Sequence, residues 1–97
     1  MALQNVQNYG LPFNISATGL VYTGPGNVIG VVVNSNTGGS LKLWDNTLAA
    51  TTVLFNTITF GTNEHFIDLF GAKFTTGLFA TIGGTADLTI IYNPKNG

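Results

Sequence analysis

The chain consists mainly of short apolar runs rich in β-branched residues, separated by glycine, asparagine and threonine. The clearest example lies between Asn27 and Asn46, where a β-branched strand, a turn at 35–39 and a second strand follow one another without a gap. This pattern predicts a β-hairpin. Similar runs elsewhere predict about eight short strands in a single-domain, all-β, antiparallel sandwich, either jelly-roll or Ig-like.

Alternation within the strands predicts which side chains face the core. In the second strand of the predicted hairpin, Leu41 and Leu43 share one face, whereas Lys42 and Trp44 lie on the other. Trp44 therefore has two interpretations, a core residue of the sandwich or an interface anchor on its second face. The final predicted strand, 86–92, has a similar apolar face, formed by Leu88, Ile90 and Tyr92.

One segment, from Glu64 to Phe74, fits two periodicities. Its aromatic and leucine residues have helical spacing, with Asn63 as a possible N-cap and Gly71 as a possible C-terminal residue. The same residues also form an acceptable strand over 66–69, followed by a turn at Gly71. The strand is favoured, because the neighbouring segments are all β and the helix would have barely two turns.

Residues 1–14 sustain neither periodicity, so an extended N-terminal arm is expected there, with the β-sandwich domain over 15–97. The alternative for this segment is a frayed terminus. An arm of this kind lies on its own domain or reaches a neighbour. Its aromatic residues Tyr9 and Phe13, together with Trp44, are the candidate interface residues.

Charged residues are scarce, only 7 of 97, and arginine is absent. The three scattered lysines argue against a nucleic-acid partner. A chain with 44% hydrophobic residues and a net charge of −1 has little charge to keep copies apart. We therefore expect this protein to act as a subunit of an assembly, since large apolar surfaces on small domains commonly mark interfaces.

The sequence offers little for catalysis or for metal binding. Glu64, His65 and Asp68 form its only cluster of titratable groups, and close neighbours on an extended strand point to different faces. One histidine and no cysteine are too few for an ordinary zinc site. We expect no enzyme activity, no metal and no cofactor, and interpret the charges as a solvated strand edge.

No secretory signal is visible at the start of the sequence, and the longest apolar run, Val28 to Val33, is too short to cross a bilayer. We therefore expect synthesis in the cytoplasm and no membrane partner.

Several stretches together resemble small virion structural proteins of tailed bacteriophages. They are the turn Gly24-Pro25-Gly26, the aliphatic strand 29–34, the segment Leu41-Lys42-Leu43-Trp44-Asp45-Asn46 and the run from Phe74 to Thr89. In such proteins a "Leu-Trp-Asp" strand, an aliphatic strand, a "Gly-Leu-Phe/Tyr" strand and an "Ala-Asp-Leu/Val-Thr" strand recur together. The resemblance covers about Thr23 to Tyr92 and leaves out residues 1–16.

The resemblance implies a β-sandwich on the outer surface of a phage virion. A chain of this length is most similar to capsid decoration or cement proteins, which are commonly trimeric and bind between capsomers to stabilise the phage head. The expected partners are copies of the chain itself and the major capsid protein or another virion protein. The alternative is a tail, head-fibre or spike domain that binds a host-surface glycan or receptor, with exposed aromatics such as Trp44, Tyr9 or Tyr22 stacking on sugar rings.

Overall fold

The computed structural model describes residues 10–95, which form six antiparallel strands. The strands are β1 (Leu11–Ile15), β2 (Gly19–Thr23), β3 (Gly26–Trp44), β4 (Val53–Thr59), β5 (Phe66–Phe74) and β6 (Gly77–Pro94). Over these residues the chain has no helix, and hence none that could span a membrane. The all-β, antiparallel prediction is confirmed.

The two longest strands, β3 and β6, form a ribbon that carries the other four. They pair along almost their whole length, from Gly26 opposite Pro94 to Trp44 opposite Phe79. On the outer edge of β6, β1 pairs with one half and β2 with the other. The outer edge of β3 is shared in the same way: β5 pairs with one half of the strand and β4 with the other. Each half of the ribbon is thus four strands wide, in the orders β1-β6-β3-β5 and β2-β6-β3-β4.

The ribbon is bent back on itself. The two ends of β6 pair with Thr23 and Gly26, which are only three positions apart in the chain. A straight strand of 18 residues would separate its ends by about 60 Å, far beyond the reach of that turn. The rings of Tyr22 and Tyr92, one from each half, are 5.4 Å apart between centroids.

The bend lies where the sequence predicted a hairpin turn, and the hairpin prediction is wrong. Residues 27–33 and 40–44 both pair with β6 and not with each other. The register shifts between Thr37 and Ser40, where Gly38 and Gly84 of the facing strand adopt left-handed φ angles of 63° and 64°. The glycine-rich segment therefore bends one continuous strand instead of reversing the chain.

The same bend accounts for part of the difference between about eight predicted strands and the six observed. The predicted strand 86–92 and the segment 77–82 before it are the halves of β6, as the two arms of the predicted hairpin are the halves of β3. The segment 66–74 is the strand β5, so the strand interpretation is confirmed and the helical one is wrong. Residues 11–14 of the predicted arm belong to β1, and residues 1–9 lie outside the described part.

One hydrophobic core joins both halves of the ribbon. Leu41 and Leu43 are fully buried, whereas Lys42 and Trp44 on the other face are not, as alternation predicted. The predicted face of the last strand is buried too: Leu88, Ile90 and Tyr92. The four fully buried leucines and isoleucines among these residues each contribute roughly 1.5–3 kcal/mol by leaving water.

Asp45 fixes the turn between β5 and β6 to the end of β3. Its carboxylate accepts hydrogen bonds from the backbone N–H groups of Thr75 at 3.0 Å and Thr76 at 2.8 Å, and from the Thr75 hydroxyl at 3.2 Å. Burial raises the pKa of Asp45, but the backbone hydrogen bonds from Thr76, Thr75 and Gly77 and the Thr75 hydroxyl outweigh it, so the pKa lies below its ordinary value.

We predict that Asp45→Ala lowers the free energy of unfolding by about 2 kcal/mol at pH 7, the contribution of hydrogen bonds to a charged group. Because the pKa is depressed in the folded state, this stabilisation is fully present above the ordinary value of 3.8 and is lost as pH falls through the folded-state pKa. Urea unfolding at neutral and acidic pH measures both effects. Glu64→Ala is the control, because this exposed carboxylate accepts one long backbone hydrogen bond, from the Gly61 N–H at 3.4 Å. An equal loss at every pH would contradict the assignment.

The bend gives a second prediction, from two glycines with the same φ. An alanine Cβ at Gly38 would meet no atom within 4 Å. Gly38→Ala should therefore lower the free energy of unfolding only by the strain of an alanine in the left-handed conformation, about 1 kcal/mol. A Cβ at Gly84 would collide with the Gly38 carbonyl oxygen and lie 2.8 Å from the carbonyl carbon. Gly84→Ala should therefore cost about 3 kcal/mol. Urea midpoints of the two variants test the bend, and equal losses would count against it.

Candidate functional site: an apolar row around Trp44

An apolar row crosses the outer face of one half of the ribbon. Trp44 of β3 lies between Phe79 of β6 and Val53 of β4, and Phe79 in turn lies beside Leu20 of β2. Directly paired residues of antiparallel strands point to the same side, so the four side chains share one face. That face is opposite to the buried Leu43. We call these four residues, Leu20, Phe79, Trp44 and Val53, the tryptophan row.

The row is exposed at both ends and half-buried at its centre. Leu20 is 40% exposed and Val53 is 42% exposed, while Phe79 and Trp44 are intermediate. Both ends lie on edge strands of this half, because β2 and β4 each pair on one side only among residues 10–95. Apolar side chains aligned across four strands form a continuous surface, which is typical of a contact area and not of scattered surface residues.

Two polar neighbours fix the orientation of the Trp44 ring. The indole Nε1–H donates a hydrogen bond to the Thr81 hydroxyl at 3.0 Å, and the Lys42 ammonium lies 4.4 Å from the ring centroid. A cation over an indole is worth about 0.5–1 kcal/mol at an exposed site. An oriented aromatic ring loses little conformational entropy on binding, so Trp44 is suited to act as an anchor.

The other two candidate interface residues are placed differently. Tyr9 lies outside the described residues. Phe13 is opposite Ile90 in the β1–β6 pairing and packs against the core, with its side chain half-buried. Phe13 is therefore not part of the tryptophan row, which belongs to the other half of the ribbon. Tyr22 packs against Tyr92 and Phe74, at ring distances of 5.4 and 6.4 Å.

The cluster of titratable groups lies on the surface. Glu64, His65 and Asp68 are all exposed, and the Asp68 carboxylate accepts a hydrogen bond from the backbone N–H of Phe70 at 2.8 Å. Within residues 10–95 no three His, Asp or Glu side chains come together as a metal-binding group. Asp68 instead fixes a local backbone conformation.

That conformation is a bulge in β5, which sequence reasoning missed. Gly30 is opposite Asp68 and Val28 is opposite Ala72, so one residue of β3 faces three residues of β5. Phe70, at the centre of the bulge, has a left-handed φ of 61° and is 83% exposed. Leu69-Phe70-Gly71, two large apolar residues before a glycine, was the available signal, because bulges interrupt alternation in this way.

A cavity of about 290 Å³ opens at the end of the ribbon where the β2–β3 turn meets the end of β5. It is lined by Pro25, Gly26, Lys73, Phe74, Thr75 and Lys95. The Phe74 ring is fully buried, and the Lys95 N–H donates a hydrogen bond to the Pro25 carbonyl at 2.9 Å. Two of the three lysines of the sequence thus flank one apolar cavity.

Comparison of the chain with protein-family models, curated proteins and solved structures finds no match.

Proposed function

We propose that this chain is a structural protein of a bacteriophage particle, a decoration or cement protein that associates with copies of itself and binds between capsomers on the outer surface of the head. The tryptophan row carries the proposal, because it gives a chain with few charges a preformed apolar contact surface. In this function the row faces the capsid shell, and binding excludes water from an area centred on Trp44.

A two-layer β-sandwich is the architecture that we propose for this function. The bend brings the two ends of β6 together, and both four-stranded halves contribute to one core, which supports two layers facing each other. Each layer then has an outer face available for contacts. The outer face of one layer carries the tryptophan row.

Polar groups on the outer surface of the chain are mostly uncharged, and this supports a contact role. On the outer face of the other half, the amide groups of Asn14 and Asn34 donate hydrogen bonds to the Asp87 carboxylate at 2.7 and 3.2 Å. Covering neutral groups of this kind requires less desolvation free energy than covering unpaired charges. A shell-bound protein with such a surface attaches with little dependence on salt.

The alternative is a tail, fibre or spike domain that binds a host glycan. The polar groups beside Trp44 favour it, because the Thr81 hydroxyl and the Lys42 ammonium are able to hydrogen-bond a sugar whose ring stacks on the indole. The two functions differ in what they bind. A glycan array with Trp44→Ala as control tests the alternative, and glycan binding that depends on Trp44 would favour it over the cement function.

We predict that the double substitution Leu20→Lys and Val53→Lys weakens attachment to heads of the encoding phage at least tenfold, because two charges must then be desolvated at the contact. Both residues are exposed, so folding should be retained. Co-sedimentation with purified heads measures attachment, and cryo-electron microscopy of the decorated particle locates the chain.

The matched control adds the same two charges elsewhere. Thr62 and Asn63 are exposed in the loop between β4 and β5, beyond the end of β4 that is opposite to Val53, and the double variant Thr62→Lys, Asn63→Lys should attach like the wild type. If the Leu20→Lys, Val53→Lys variant also attaches like the wild type, the tryptophan row is not the capsid contact. If the wild-type chain is missing from the particle, the proposed function fails.

A further inference from the structure

The bulge in β5 exposes the aromatic side chain of Phe70 at a cost in free energy. A bulky residue with positive φ costs roughly 1–2 kcal/mol in backbone strain, and a ring that is 83% exposed recovers almost none of it by burial. Two side-chain hydrogen bonds hold the bulge, from the Phe70 N–H to Asp68 and from the Asn27 amide to the Gly71 carbonyl at 2.9 Å. Strain that the surrounding structure enforces is typical of binding sites.

The cavity at the end of the ribbon is complementary to the Phe70 bulge in size, polarity and charge. An apolar cavity of about 150 Å³ is known to accommodate benzene, so about 290 Å³ is enough for a phenyl ring. Its lining surface is mainly apolar, and the exposed side chains of Lys73 and Lys95 stand at its rim. Neither ammonium has an ion-pair partner among residues 10–95. The Phe70 bulge carries a carboxylate, Asp68, that likewise has no cationic partner in this part of the chain.

We propose that Phe70 of one copy inserts into the cavity of a second copy, with Asp68 placed against Lys73 and Lys95 at its rim. Ring and cavity match in size and polarity, and the carboxylate and the ammonium groups match in charge. Phe70 does not fill the cavity of its own chain, because its side chain is exposed to solvent. A Phe70 ring that fills this cavity therefore belongs to a second copy. This inference rests on the self-association included in the proposed function.

The contact joins two different patches of the chain, the bulge and the cavity. Two copies that exchange the contact reciprocally form a two-fold symmetric dimer, and copies that make it head to tail form a ring when the rotation between them closes. The tryptophan row takes no part in this contact, and it remains available on every copy for the capsid shell.

Sedimentation velocity of the full chain over micromolar concentrations tests the contact. We expect Phe70→Ser to weaken association at least about 30-fold, as for truncation of a hot-spot aromatic, while Phe70→Leu keeps most of it. Asp68→Asn retains an acceptor for the Phe70 N–H but removes the charge, so it should weaken association less and reduce its salt dependence. Urea midpoints close to that of the wild type verify that each variant is folded.

A mixing experiment identifies the two partners. Phe70→Ser keeps the cavity intact, and the double variant Lys73→Glu, Lys95→Glu keeps the bulge intact, so each should be monomeric alone. A mixture of the two should form a 1:1 dimer and stop there, because only one intact bulge and one intact cavity meet. If no dimer forms, the pairing of bulge and cavity is wrong.

The outcomes separate this inference from the proposed function. A wild-type chain that associates while Phe70→Ser associates equally well overturns the contact and leaves self-association standing. A wild-type chain that is monomeric over the whole concentration range overturns self-association, and the Phe70 contact with it. Attachment to heads, measured through the tryptophan row, is independent of both results.

Discussion

The pairing of β3 with β6 is the interaction on which the rest of the structure depends. All four shorter strands attach to this ribbon, and the larger part of the buried core lies on its two strands. The ribbon contributes strands to both halves because it bends at one position along its length, where the backbones of Gly38 and Gly84 lie close together. One bend therefore determines the core, the two outer faces and the proximity of the strand ends that form the cavity. A domain of this size has no second core to compensate for its loss.

The sequence predicts side-chain faces well because alternation is a local property. Leu41, Leu43 and Trp44 occupy the expected faces, and each needs only its neighbours in the chain to be placed. Strand pairing is not local. Asn, Thr and Gly at 35–39 are equally suited to a hairpin turn and to a bend in a continuous strand, since both require a left-handed residue. Only the partner strand distinguishes them, and Gly83-Gly84 at the matching level of β6 is the distant signal.

The candidate contact surfaces were likewise predictable from the sequence only where they depend on local alternation. Trp44 was identifiable from its phase relative to the leucines, but its row was not, because Leu20, Val53 and Phe79 come from three other strands. The cavity depends on tertiary structure even more, since it joins the β2–β3 turn to the end of β5 and to Lys95. Phe70 was within reach of the sequence, but a prediction of its exposure requires the register of β5 on both sides of the bulge.

The "Leu-Trp-Asp" segment shows how three adjacent residues combine folding and binding. Leu43 is buried in the core, Trp44 stands on the outer face, and Asp45 holds the β5–β6 turn by its backbone N–H groups. Because that turn leads into β6, and Phe79 of β6 lies beside Trp44, Asp45 also supports the strand that carries the centre of the row. The scaffold and the proposed contact surface are thus linked by covalent neighbours.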